Sequence, residues 1–340
     1  MDVKLVGFGY PLLDIIIDGS PELLNRYGLI PNGQVQASGD LIKIFNYVQM
    51  TYGDSIQYVP GGAAINAVKV AQWCIGKDDC TAVIGCLNDE DDFGQILQRE
   101  MMRSRVKCYF QKERTASTGT CLVICTDQNR SLVTTAGAAK LFSTKYFEEL
   151  EIQSVLNCAQ HLYCTGFSLI DCSQGVDVLA HLATKNSGQI FAFNLAAVFI
   201  SQQFSENIKR LLPFIDILFG NEMEADALIS QCGYKINSMQ EIALFLCNWE
   251  TKKCNGHSRI VVITRGPSTS ILAQEGKVFE FPVVDVTADQ IIDTNGAGDA
   301  FVGGFLASLI KGESSSDAMK AGHTAAHVIL KQRGCSLPNN

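Results

Sequence analysis

The chain has 340 residues, enough to bury the core of one large α/β domain with an appendage or of two ordinary domains. Its 47% hydrophobic and 18% charged residues are those of a globular protein and set aside disorder and fibrous repeats. A formal net charge of −8 argues against a binder of nucleic-acid backbones, whose affinity rests on Lys and Arg, and points to a small-molecule partner.

Thirteen cysteines are scattered without a C-x-x-C pair, and the first ten residues carry no basic segment followed by a long apolar stretch. Free buried thiols and a cytoplasmic protein, with the nucleus also open to it, are expected. No segment reaches the roughly 18 apolar residues of a membrane span.

In chain order, short apolar runs at 4–8, 81–86, 161–165, 190–195, 215–219 and 260–264 alternate with helical stretches. Runs of that length bounded by Gly, Asn or Thr predict strands buried on both faces, hence a doubly wound α/β core around a parallel sheet. Further strands at 15–17, 34–37, 56–59, 119–125 and 131–135 interrupt this rhythm around the early βα units. Turns are expected between them at Pro31-Asn32-Gly33 and Asp127-Gln128-Asn129. They predict a small β-sheet lid, formed by about 15–60 and 117–137 and inserted in the core, so that 1–340 is a single domain. Open α/β sheets bind ligands outside the carboxyl ends of their strands, where such a sheet would close over them.

The sharpest chemical signal is Ile291-Ile292-Asp293-Thr294-Asn295-Gly296-Ala297-Gly298-Asp299-Ala300-Phe301. Gly296, Ala297 and Gly298 precede an apolar helical stretch, so a tight turn can aim the free N–H groups of a helix start at an anion. Asp299 at that start could take the proton of an attacking hydroxyl while the amides stabilise phosphate charge. A helix cap is the plainer alternative for such an Asp. His323 and His327 stand four apart, but without H-E-x-x-H or a third ligand they do not make a zinc helix. Gly7-Phe8-Gly9 begins a dinucleotide fingerprint that Pro11 and Leu12 do not continue.

The Asp293–Phe301 motif resembles the signature of the ribokinase/PfkB family, its adenosine kinases in particular. So do Gly9-Tyr10-Pro11-Leu12-Leu13-Asp14, Gly61-Gly62-Ala63-Ala64-Ile65-Asn66, Lys69-Val70-Ala71-Gln72-Trp73, Asn129-Arg130-Ser131-Leu132, Phe219-Gly220-Asn221-Glu222-Met223-Glu224 and Ala321-Gly322-His323, in matching order and spacing. The resemblance implies a ribokinase-like αβα sandwich that moves the γ-phosphoryl of ATP to the 5′-hydroxyl of adenosine. In it Asp299 would be the base, Gly296, Ala297 and Gly298 the anion hole, and Arg130 a lid arginine over the phosphates. Asp14, Gln34, Gly62, Ala63, Asn66, Leu132 and Phe199 would hold the nucleoside; Asn221, Thr264, Gly266, Asn295 and His323 would border ATP. Glu224, with Asn221, would organise Mg²⁺ through its water shell, which suits an ion that takes few protein ligands. A monomer is expected, because the lid would cover the site without a second subunit.

Departures from the family pattern fall in the nucleoside half. Tyr10 stands for Asn, Ala63-Ala64-Ile65 for a more polar run, Gln36 for an apolar lid residue, and Ser168 for an aromatic that would stack on the base; Asn194-Leu195-Ala196-Ala197-Val198-Phe199 also differs. Another nucleoside or a ribose-like sugar as acceptor, and a nucleoside-binding protein that has lost catalysis, therefore stand beside adenosine phosphorylation.

Overall fold

The computed structural model describes residues 3–126, 129–186, 188–250, 259–283, 286–287 and 290–338. The expected turn at Asp127 and Gln128 lies outside the described residues. The strands, in chain order, are β1 Leu5–Phe8, β2 Leu12–Asp18, β3 Gln34–Gln36, β4 Gln57–Gly61, β5 Thr81–Leu87, β6 Lys107–Lys112 and β7 Gly119–Thr126. They continue as β8 Asn129–Thr135, β9 His161–Thr165, β10 Ile190–Asn194, β11 Ile217–Asn221, β12 Ile260–Arg265, β13 Ser268–Gln274 and β14 Lys277–Phe281.

Nine of these form one sheet in the order β14-β13-β12-β11-β10-β9-β1-β5-β6. From β12 to β6 every described pair is parallel, and β13 runs antiparallel to both of its neighbours. The central strands β1, β5 and β9 are buried at every residue, because successive side chains enter opposite cores. Phe8, Leu162, Phe191 and Phe193 pack on one side, while Leu5, Val83, Tyr163, Phe219 and Phe305 pack on the other. Each such side chain contributes about 1.5–3 kcal/mol by leaving water. The result is the αβα sandwich.

Strands β6, β13 and β14 were not expected from the sequence. Lys107 and Lys112 bound β6, Lys277 and Glu280 interrupt β14, and β13 is polar at Ser268, Thr269, Ser270 and Gln274, so no apolar run in these strands at or near the sheet edges exceeds three residues. Strand β11 begins at Ile217 rather than 215, since Ile215 still belongs to the turn after Leu212–Phe214, where its carbonyl accepts from Arg259 Nε at 3.0 Å.

The five-stranded sheet has the order β3-β8-β7-β2-β4. Its outer face, Ile15, Ile17, Leu122, Ile124 and Val133, is covered by Leu23 and Leu24 of the helix Pro21–Arg26 and by Ile44 and Val48 of the helix Lys43–Tyr52. Its other face carries Ile16, Val59, Cys121 and Val123. The described cysteines are free thiols. Among the described residues no helix is long and apolar enough to cross a membrane.

Candidate active site

A cavity of about 550 Å³ opens at the carboxyl ends of β9, β10, β11 and β12, where the parallel strands deliver Thr165, Asn194, Asn221 and Thr264. The small sheet covers it with Leu12, Asp14, Gln34, Gln36, Cys121, Leu132 and Thr134. The starts of the helices Ala63–Ile75 and Ala297–Ile310 supply Gly62, Ala63 and Asn66 on one side and Asn295, Gly296, Gly298 and Asp299 on the other.

Gly296 is the N-cap of the second helix at φ 78°, a backbone region in which a Cβ is strained, and a Cβ there would also press on Cys335 at 2.8 Å. No side chain caps this helix; the Ala297 amide donates to the Thr294 carbonyl at 3.4 Å, while those of Gly298 and Asp299 have no acceptor within the helix. Asp299 is not a cap. Its Oδ2 accepts from Asn66 Nδ2 at 3.1 Å. Removal from water pushes its carboxyl up to about 7, against the pull of the Asn66 hydrogen bond and of Lys69, with Glu224 adding to the rise. Asp14 is likewise pushed up to about 7, first by burial, with Lys69 opposing. Asn66 is buried, and its Oδ1 has no hydrogen-bond partner among the described residues, which leaves an acceptor for a ligand hydroxyl. A carboxylate beside uncapped amides can take a proton from a bound hydroxyl and steady a neighbouring anion in one place.

Asn221 and Glu224 form a reciprocal capping box on the helix Glu222–Gln231. Asn221 Oδ1 accepts from the Glu224 amide at 2.9 Å, and Glu224 accepts from the Asn221 amide at 3.0 Å and from Asn221 Nδ2 at 2.8 Å. Both line the cavity. Burial is the main reason the Glu224 carboxyl is raised. Among the described residues no group of three His, Cys, Asp or Glu side chains could hold a metal ion.

Four sequence-predicted residues do not line the cavity. Arg130 lies with its Nε 3.5 Å from Asp293 and its Nη2 donating to the Ile292 carbonyl at 2.6 Å. Asp293 in turn accepts from the amides of Asn295 and Gly334, each at 2.9 Å, so the arginine is tied to the loop that shapes the Gly296 turn. His323 meets Ser270 Oγ at 3.0 Å and packs its ring on Phe301. Gly266 is at the exposed turn between β12 and β13, and Ala297 follows Gly296 outside the lining.

The part of the cavity expected to hold a nucleoside differs from the expectation at Ser168. That residue is fully buried behind the wall, and its hydroxyl has no hydrogen-bond partner among the described residues. Aromatic surface comes instead from Phe167, whose ring lies 6.2 Å from that of Phe199, and from Phe204. Tyr10 also lines this end, with its hydroxyl donating to Asp171 Oδ2 at 2.9 Å and accepting from the Asp171 amide at 3.1 Å. Sequence reasoning missed Phe167 and gave Lys69 no role. Their signals were an aromatic directly after a strand-ending Gly166 and the sole charged residue of an apolar helix.

A model of the pfkB family carbohydrate kinases matches residues 35–340. The chain is 31% identical over 338 residues to adenosine kinase 2 of Arabidopsis thaliana, which spans 99% of this chain and 96% of that protein. It is 34% identical over 336 residues to the adenosine kinase of Schizosaccharomyces pombe, spanning 98% and 96%. The crystal structure of Anopheles gambiae adenosine kinase in complex with P1,P4-di(adenosine-5) tetraphosphate matches with a TM-score of 0.90 at 33% identity, covering 100% of both chains.

Proposed function

The chain belongs to the pfkB family of carbohydrate kinases, phosphotransferases with an alcohol acceptor, and on that premise we propose that it phosphorylates the 5′-hydroxyl of adenosine with ATP, giving AMP and ADP in purine salvage. One observation carries the reading: Asp299, held by Asn66, shares a cavity with the uncapped helix start at Gly296.

In this reading Asp14, Gly62 and Asn66 hold the ribose hydroxyls and so place the 5′-oxygen beside Asp299. Gln34, Ala63, Leu132, Phe167 and Phe199 surround the nucleoside. Asp299 takes the hydroxyl proton as the oxygen bonds to the γ-phosphorus and the bond to the β-phosphate oxygen breaks, which leaves ADP. A carboxyl near 7 suits a base at neutral pH. The amides of the Gly296–Gly298 turn hold the charge on the transferring group. Positioning supplies most of the remaining rate. Asn221, Thr264 and Asn295 border ATP, with Gly266 and His323 flanking from outside the lining. Arg130 reaches the phosphates by exchanging the Ile292 carbonyl for phosphate oxygens as the small sheet closes. Asn221 and Glu224 would hold magnesium through its water shell, and that ion would neutralise phosphate charge. The enzyme works as a cytoplasmic monomer.

ADP release with Mg-ATP, measured across adenosine, guanosine, inosine, cytidine and ribose, tests this. Saturable turnover that prefers adenosine is expected. Equal or better turnover of another acceptor removes adenosine as the substrate, and silence across the panel removes catalysis.

A further inference from the structure

The helix Ala63–Ile75 is apolar but for a buried stripe of Asn66, Lys69 and Gln72, spaced three apart on one face. The two ends of the stripe have evident work. Asn66 donates to Asp299, while Gln72 Oε1 accepts from the Thr81 amide at 3.1 Å and hydroxyl at 2.9 Å, fixing the start of β5. Between them Lys69 is only 2% exposed. Its ammonium donates to the Pro60 carbonyl at 2.7 Å, which uses one of its three protons. A buried ammonium with so little compensation is costly unless opposite charges face it.

They do. Cys335 of the C-terminal segment, Asp14 of β2 and Asp299 of the helix Ala297–Ile310 act on Lys69 electrostatically, the two carboxylates through space rather than as close ion pairs. Like charge works the other way: Asp299 and then Asp293 raise Asp14, and Glu224 raises Asp299. The hydrogen bond to Pro60 serves the same carboxylate by another route. In the β2–β4 pair Leu13 lies opposite Pro60 and Asp14 opposite Val59, and a Cβ on Gly61 would collide with the Asp14 carboxylate. Lys69 therefore grips the strand on which Asp14 rests.

We propose that Lys69 is a positioning residue for phosphoryl transfer, the buried counter-charge that lets Asp14 and Asp299 stand ionised together while it fixes the Pro60–Gly61 backbone beneath Asp14. The proposal rests on the adenosine kinase reading only in the roles given to the two carboxylates. The charge balance agrees with it: burial is the first cause of the rise in both carboxyls, and Lys69 opposes that rise in each. Burial also pulls the lysine down, against Cys335, Asp14 and Asp299.

Lys69→Gln keeps an N–H donor for Pro60 and removes the charge, whereas Lys69→Arg keeps the charge. The acid limb of kcat/KM for adenosine should move up by about 1 pH unit in Lys69→Gln and return toward wild type in Lys69→Arg. The carboxyl ¹³C titration of the aspartates, read on the ligand-free full chain, should move in the same direction. Limbs and titrations in Lys69→Gln that coincide with wild type overturn the proposal and leave Lys69 as a strand tie, as does an arginine variant that behaves like the glutamine one. Should wild type fail to turn over adenosine, the functional reading falls, while the carboxyl titrations still decide the part played by Lys69. Wild-type ¹⁵Nζ spectra decide it without any variant: an ammonium signal at about pH 7 is expected, and a neutral amine there overturns the proposal.

Discussion

On the core side of the cavity, the polar groups nearest the chemistry are already partnered inside the protein: Asp299 with Asn66, Glu224 with Asn221, Lys69 with Pro60. On the small-sheet side, β3 is a three-residue edge strand whose Gln34, Val35 and Gln36 are all exposed. The first wall is set before a ligand arrives, so its residues can act on the transition state. The second, at β3, is exposed cover rather than a set wall. Changes on the core wall should therefore fall on kcat, and changes on the sheet wall on KM.

The comparison breaks most readily at Asp299. Asp299→Asn should lower kcat by ~10²–10⁴-fold with adenosine KM little changed, and a loss within tenfold would remove the base from the core wall. Next is Gly298→Ala. A Cβ there meets no protein atom within 4 Å, yet Gly298 lines the cavity, so melting temperature should hold while kcat/KM for ATP falls by about 10²-fold. A matching drop in melting temperature would mean that the turn is built for folding rather than for a ligand.

The pH profile gives a smaller effect. Asp14 and Asp299 are both raised to about 7, and the proposed mechanism needs both as carboxylates; kcat/KM should thus fall as pH drops through about 7, approaching about a hundredfold per unit well below it because two protons must be lost. A flat profile between pH 6 and 8 would place the working carboxylates in water. The smallest effect is expected at the sheet wall, where Gln34→Ala should raise adenosine KM by about 2- to 10-fold and leave kcat within twofold. If kcat falls instead, the two walls are not separable.

The same contrast marks what could be read from the sequence. Strands β1, β5 and β9 are legible because burial on both faces forces continuous apolar runs, and the Gly296–Asp299 turn is legible because a turn, a helix start and a carboxylate lie within four consecutive residues. Features made by distant contacts were not. Cys335 closes on Gly296, Arg130 docks on Asp293, and Ser168 turns away while Phe167 faces the cavity, none of which local pattern encodes. Lys69 looked like an ordinary lysine because its hydrogen-bond partner Pro60 comes from β4 and the carboxylates that act on it come from β2 and the Ala297–Ile310 helix.

The hydrogen bond from Asn66 to Asp299 joins residues 233 apart in sequence. During synthesis, then, Asn66 waits for a partner made 233 residues later, and a fragment that stops short of Asp299 lacks this pair. Long-range closure of this kind slows folding. It also makes occupancy report on the whole fold. A nucleoside that binds there stabilises the entire cooperative unit by RT ln(1 + [L]/Kd), about 2.7 kcal/mol at a hundredfold excess over Kd, rather than one loop.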